Sequence, residues 1–270
     1  MWNICYSEWR RTVREKSSYT FLLLWIVILS LLFLMERNVP SLVGYTNTMG
    51  TILNLILYII PLFMLIAGSF SIANEMENGQ WRLLCTYPLT TSSYVIGKIA
   101  GQFIAQIILF TLSFGSSVMI GLLSGSMFKS SWILAIYLFS IILIFFFIVL
   151  GITIGAFSLT RWQALAISIA VWFLLIMMWP TAVISILNLV PYTMIASLIK
   201  VFVFCNPAEL LRIIFVIQLG GGAVFGQSYD QLVIFFQSGA VVIVLFMYSA
   251  IYTVIFLLLA VWRLERRRNQ

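Results

Sequence analysis

Six long apolar runs, separated by short polar stretches, constrain this chain more than any other feature. They cover about 20–35, 51–73, 94–124, 132–158, 164–187 and 239–262. Most reach or exceed the ~20 residues that carry a helix across a bilayer. At that depth no water satisfies the backbone, so every N–H and C=O must be bonded within its own segment, which confines the chain to helices. The alternating pattern of an outer-membrane barrel strand is absent. Composition agrees, with 63% hydrophobic and 9% charged residues, against roughly 25% charged in a soluble domain. The expected fold class is all-α: a polytopic membrane bundle of six transmembrane helices, forming one transmembrane domain over 1–270. The first run is short for a full crossing, which places Met35, Glu36 and Arg37 at the outer headgroups. The third and fourth runs are long enough to tilt or to project beyond the bilayer. A charged stretch precedes the first run, so no cleavable leader is expected.

The net charge of +7 does not indicate a nucleic-acid partner, because the basic residues flank the ends of apolar runs rather than forming a surface. With both termini in the cytoplasm, the inner side holds Arg10, Arg11, Arg14, Lys16, Arg82, Lys98, Arg161, Arg263, Arg266, Arg267 and Arg268. The outer side holds Arg37, Lys129, Lys200 and Arg212. The excess of basic residues inside predicts that orientation. Lys98, near the inner end of the third run, is expected to snorkel to the headgroups.

Two segments outside the spans have a character of their own. Over 1–17, Trp2, Cys5, Tyr6, Trp9 and Val13 share one helical face, while Arg10, Arg11, Arg14 and Glu15 lie mostly on the other. That pattern predicts an amphipathic helix along the inner leaflet; a solvated helix without further role fits it equally. The region 188–238 is expected to be an extracytoplasmic insertion. Within it Leu189 to Phe204, interrupted by Pro191 and Lys200, predicts a re-entrant or outer-leaflet helix. A second helix starts at Asn206-Pro207-Ala208-Glu209: Asn caps, Pro suits the first turn, and Glu209 can return a bond to the cap's backbone. Gly220-Gly221-Gly222 ends it. In the bundle itself, Gly97/Gly101, Gly121/Gly125 and Gly151/Gly155 permit close helix approach. Pro61 removes one bond from the second span, predicting a kink that either is fixed or serves as a hinge.

Several chemistries are excluded. Histidine is absent, which removes the base or ligand that Ser–His and most metal-dependent intramembrane hydrolases use. Asp230 is the sole aspartate, so no aspartate pair exists. Cys5, Cys85 and Cys205 are too scattered for a disulfide framework or metal site. Gly97-Lys98 does not end a P-loop, since Ser92 stands where Gly is required. No catalytic centre and no bound cofactor are expected. No carboxylate lies at mid-membrane in any run, so coupling to an ion gradient lacks its usual agent.

Energy would then enter from outside the membrane, which directs attention to the loop 74–93 between the second and third runs. Glu75, Glu77 and Arg82 offer charge to a soluble partner, while Trp81, Leu83 and Leu84 offer apolar anchors. A short amphipathic helix continuous with two spans can pass a partner's movement into the bundle. The competing reading is a loop helix that touches only lipid.

Glu75-x-Glu77-x-Gly79, then Leu83-Leu84, Pro88 and Gly97-Lys98, resembles the pattern of ABC-2 type transporter permeases, with Asn78 and Gln80 in place of a basic residue and Thr. The resemblance covers the whole chain. It implies a coupling helix in which Glu75, Glu77, Gly79, Trp81, Arg82, Leu83, Leu84 and Pro88 receive a separately encoded ATPase. It also implies two such subunits, which hold ATP and Mg, and a second permease copy in a bacterial or archaeal cytoplasmic membrane, with export as the direction. Asn206, Pro207, Glu209 and Arg212 form an element similar to one in NosY-type permeases, which support maturation of the copper enzyme nitrous oxide reductase with an extracytoplasmic partner. The same residues read equally as a well-capped packing helix. A different class of function also fits the loop: a non-transporting membrane scaffold that anchors a partner.

Overall fold

The computed structural model describes residues 2–36, 47–87, 89–125, 130–226, 229–237, 239 and 241–268. Among these, every regular element is helical. The expected positions of Arg37 and Lys129 lie outside them. The helices are α1 (Trp2–Arg14), α2 (Lys16–Glu36), α3 (Asn47–Glu77), α4 (Gln80–Leu84), α5 (Thr91–Leu123), α6 (Ser130–Phe157) and α7 (Arg161–Trp172). A π-helical turn over Phe173–Met178 joins α7 to α8 (Trp179–Leu187). There follow α9 (Tyr192–Cys205), α10 (Pro207–Gln218), α11 (Asp230–Gln237) and α12 (Val241–Arg268). Helical structure occupies all six apolar runs. Five helical stretches are long and apolar enough to cross a membrane, and up to seven if two bent pairs, α1 with α2 and α9 with α10, each count as one.

The core is built on α3 against α6, and glycine makes the contact possible. A Cβ on Gly155 would sit 2.5 Å from the Ser69 carbonyl oxygen, one on Gly151 2.8 Å from that of Leu65, and one on Gly68 3.0 Å from that of Ile148. Backbones this close gain dispersion contact that larger side chains would prevent. The expected Gly151/Gly155 pair therefore does pack, whereas a Cβ on Gly125 (φ +88°) would meet none of the described residues, and Gly125 ends a helix instead. α2 seals the other flank through aromatic edges, Trp25 on Phe110 and Phe33 on Phe114. Pro61 lies inside α3, which remains one element through it.

α9 and α10 meet at 111°, with Asn206 at the corner. α10 is buried along most of its length, Phe215 packing edge-on to Phe139 of α6. It ends in a Schellman arrangement: Gly220 takes φ +85°, and the Gly221 and Gly220 amides donate to the carbonyls of Val216 and Ile217.

Candidate functional site

α3 stops at Glu77 because Gly79 adopts φ 69°, a left-handed turn that glycine accepts without strain. The chain then makes the single turn of α4 and enters α5 at Thr91. Behind this corner lies a cluster of charged groups drawn from three helices. Lys98 of α5, 1% exposed, donates to Glu8 of α1 at 2.7 Å, to Glu75 of α3 at 2.6 Å and to the Ser71 carbonyl at 3.0 Å. Arg11 approaches Glu75 at 3.4 Å. The Tyr94 hydroxyl donates to the second Glu75 oxygen, and the Ser71 hydroxyl to the second Glu8 oxygen. Thr12 and Gln102 extend the set at 2.7 Å. Two carboxylates face two cations, and each carboxylate oxygen has a donor. That is the condition under which buried charge is tolerated.

Lys98 therefore does not snorkel. Glu8 and Glu75 satisfy it within the protein, so it need not reach the headgroups. The N-terminal helix packs on the bundle through a stripe that the sequence reading did not single out: Cys5, Glu8 and Thr12 are buried, while Trp2 and Tyr6 of the expected leaflet-facing side stay exposed. Gly101 permits this, since a Cβ there would meet the Cys5 carbonyl oxygen at 2.6 Å and Glu8 Cβ at 2.9 Å. Glu8 was missed at the sequence level. Its signal is the spacing 5, 8, 12, which puts one carboxylate on a helical stripe with Cys5 and Thr12.

The same end of the bundle is tied at three more points. Glu77 accepts from the Arg161 amide at 2.7 Å and pairs with its guanidinium at 3.6 Å; a carboxylate at the first turn of α7 is well placed against the helix dipole. Arg267 donates to the carbonyls of Ser158 and Phe157 at 2.8 and 2.9 Å, closing the last turn of α6. Arg268 donates to the Leu89 carbonyl at 2.9 Å. Arg11, Lys98, Arg161, Arg267 and Arg268, all assigned to one side by sequence, meet here.

The residues expected to receive a partner are thus divided. Glu75 and Trp81 turn inward, Trp81 lying on the Tyr94 ring at 5.2 Å. Glu77 is committed to α7, Gly79 makes the turn, and Leu84 is half-buried. Arg82 and Leu83 face outward, joined by Tyr87, which sequence reasoning did not single out. Pro88 lies outside the described residues.

The second predicted group sits at the α9–α10 corner. Asn206, 1% exposed, caps α10 by accepting from the Ala208 amide at 3.0 Å, as expected. Its amide nitrogen donates to the Leu175 carbonyl at 2.6 Å. In the π-helical register that carbonyl would take its bond from residue 180, which is Pro180 and has no N–H. Asn206 supplies the missing donor. Glu209 does not return to the cap's backbone; it pairs with Arg212 at 2.6 Å, because the i,i+3 spacing brings a full charge within reach. Pro207 is buried.

The sequence profile of the ABC-2 family transporter proteins matches residues 2–268. Similar curated proteins include the probable ABC transporter permease protein NosY of Stutzerimonas stutzeri, 22% identical over 232 residues, which span 79% of this chain and 80% of that protein. The probable ABC transporter permease protein NosY of Pseudomonas aeruginosa PAO1 is 23% identical over 205 residues, or 70% of this chain and 74% of the relative. With the family match extending from the first turn of α1 to the last of α12, the chain belongs to the ABC-2 family of transporter proteins.

Proposed function

We propose that this membrane permease couples to a separate ATPase through the outward face of the α4 corner, formed by Arg82 and Leu83 of α4 and by Tyr87 just after it. The observation that carries the reading is that this exposed face stands on a rigid footing. Trp81 seats α4 on Tyr94, Tyr94 holds Glu75, and Glu75 shares Lys98 with Glu8. A push on α4 would therefore move α1, α3 and α5 together, and Glu77 would carry it to α7. Pro61 is the point at which α3 could bend under that load.

In this reading six crossings span a bacterial or archaeal cytoplasmic membrane, with both termini and α4 in the cytoplasm. Two copies face each other across a cargo path, and each receives one ATPase subunit holding ATP and Mg. Export is the direction. A NosY-type role, supporting maturation of nitrous oxide reductase with an extracytoplasmic partner, is supported by the names of the two relatives and by the Asn206-Pro207-x-Glu209-x-x-Arg212 element.

The test uses the chain co-purified with a separately encoded P-loop ATPase of the ABC class. Leu83→Asp should abolish both co-purification and permease-stimulated hydrolysis while the thermal stability of the permease is unchanged, Leu83 being 66% exposed. Hydrolysis that ignores the substitution removes the coupling assignment. Binding without any stimulation by the unmodified chain would favour the scaffold instead.

A further inference from the structure

Among the described residues, four cations are buried or half-buried: Lys98, Arg212, Arg263 and Arg267. The first two are neutralised within the protein, Lys98 by Glu8 and Glu75 and Arg212 by Glu209. Arg263 and Arg267, one turn apart near the end of α12, pair with no carboxylate among those residues. Arg267 donates to the Ser158 and Phe157 carbonyls. The C-terminus of α6 that it closes carries about half a negative charge, against two full positive ones. Arg263 lies over the Phe157 ring, 5.6 Å from its centroid, a contact that uses no N–H. Its Nε is buried, but its two terminal nitrogens stay accessible and meet no acceptor among the described residues. Like charges at this spacing repel, so the pair is left with unanswered positive charge.

The surroundings extend the pair into a surface. At about 100° per residue, Arg266, Arg263 and Arg267 share an arc of about 100° on α12, bordered by Trp262. Arg266 lies over the Trp262 ring at 5.9 Å. Glu265 is two residues from each member of the pair, hence about 160° round the helix from both. Glu77, at the α7 corner, is taken by Arg161. Arg263 stands roughly 33 Å along α12 from Val241, close to the ~30 Å thickness of the hydrocarbon layer. The arc is therefore at headgroup depth, where Trp rings also collect. Deeper in the layer, Ile251, Ile255 and Leu259 continue the exposed side of α12 that Trp262 begins.

We propose that this arginine arc binds the phosphate of an anionic phospholipid, whose acyl chains lie along the exposed stripe of α12. The α6 carbonyls fix Arg267, and the two rings fix Arg263 and Arg266, so the donors are oriented before the lipid arrives. Guanidinium groups give phosphate oxygens short, charge-assisted hydrogen bonds, and basic sites at the ends of spans recur as seats for anionic headgroups. A zwitterionic headgroup brings its own cation to the arc and fits it less well.

The test uses the full chain, delipidated in an uncharged maltoside detergent without any ATPase, so neither α4 docking nor membrane sidedness enters the outcome. Dioleoylphosphatidylglycerol is titrated in and the bound lipid counted by native mass spectrometry. A single molecule per chain should be held more tightly than dioleoylphosphatidylcholine. Arg263→Gln with Arg266→Gln, which leaves Arg267 on α6, should weaken that binding roughly tenfold. Arg266→Gln alone, at an exposed position, should show a smaller loss and keeps the test open where the double variant does not fold. Arg10→Gln with Arg14→Gln removes the same charge from exposed positions of α1 and should leave the binding unchanged. Equal retention of the two lipids, an affinity indifferent to the α12 substitutions, or an equal loss in the α1 variant overturns the proposal. Inorganic phosphate at millimolar concentration should not displace the lipid; displacement would make the arc a site for soluble anions and overturn the lipid assignment.

Discussion

Lys98 carries a charge to a position where water does not reach, and its partners come from helices remote in sequence. Glu8 is 90 residues away and Glu75 is 23. Removing one member leaves the others buried and unbalanced. Lys98→Met should therefore destabilise the protein by roughly 3–5 kcal/mol, read as a fall in thermal unfolding temperature in detergent. Adding Glu8→Gln and Glu75→Gln should restore much of the loss, because the desolvation penalty goes with the charges; a triple variant less stable than the single one would contradict the pairing. At this scale the sequence was partly legible. Glu75, Gly97 and Lys98 stood out by motif, but the motif could not say that they touch. Glu8 was hidden because the face of α1 was judged by its aromatic residues, and which stripe of an amphipathic helix meets protein depends on what it packs against.

The elements show the same division. The polar corner at Asn206 was legible as a helix start, since capping is a local matter of one side chain and the next amides. Its second bond, to the π turn, was not, because it repairs a defect that Pro180 creates in another helix. Asn206→Ala should cost roughly 1–3 kcal/mol by orphaning the Leu175 carbonyl. Pro180→Ala should shrink that cost by returning an N–H to α8, and paired unfolding measurements would reveal the non-additivity. The α3–α6 contact makes a similar demand. Gly155→Ala places a methyl 2.5 Å from the Ser69 carbonyl oxygen, and overpacking of this kind costs roughly 1–3 kcal/mol. Gly125→Ala meets none of the described residues but is strained by its positive φ, so the two losses differ in kind: both should lower the unfolding temperature, the first by forcing α3 and α6 apart and the second by straining a helix end alone.

Over the whole molecule, basic residues gather at the α4 end, where they clamp α1, α3, α5, α6, α7 and α12 to one another. The proposed orientation has a direct readout. Tyr87 and Gln231 are both exposed, so in whole cells Gln231→Cys should react with an impermeant thiol reagent and Tyr87→Cys should not. The reverse pattern would place α4 outside and end the coupling proposal. Six apolar runs were legible as helices, yet the number of crossings depends on the two bent pairs, which sequence treats as separate lengths.

Hydrophobic length by itself determined that this chain lives in a bilayer as helices, because backbone polar groups have no other partner there. Its rare charges and motifs were enough to mark the ABC-2 resemblance and the loop 74–93. Only the tertiary structure decided which charges neutralise one another, which face of α4 stays free, and that Asn206 bonds the Leu175 carbonyl in the π turn. Helical periodicity specifies what shares a face within one element. It carries no information about which faces of distant elements meet, and buried ion pairs and cavities exist only where they do.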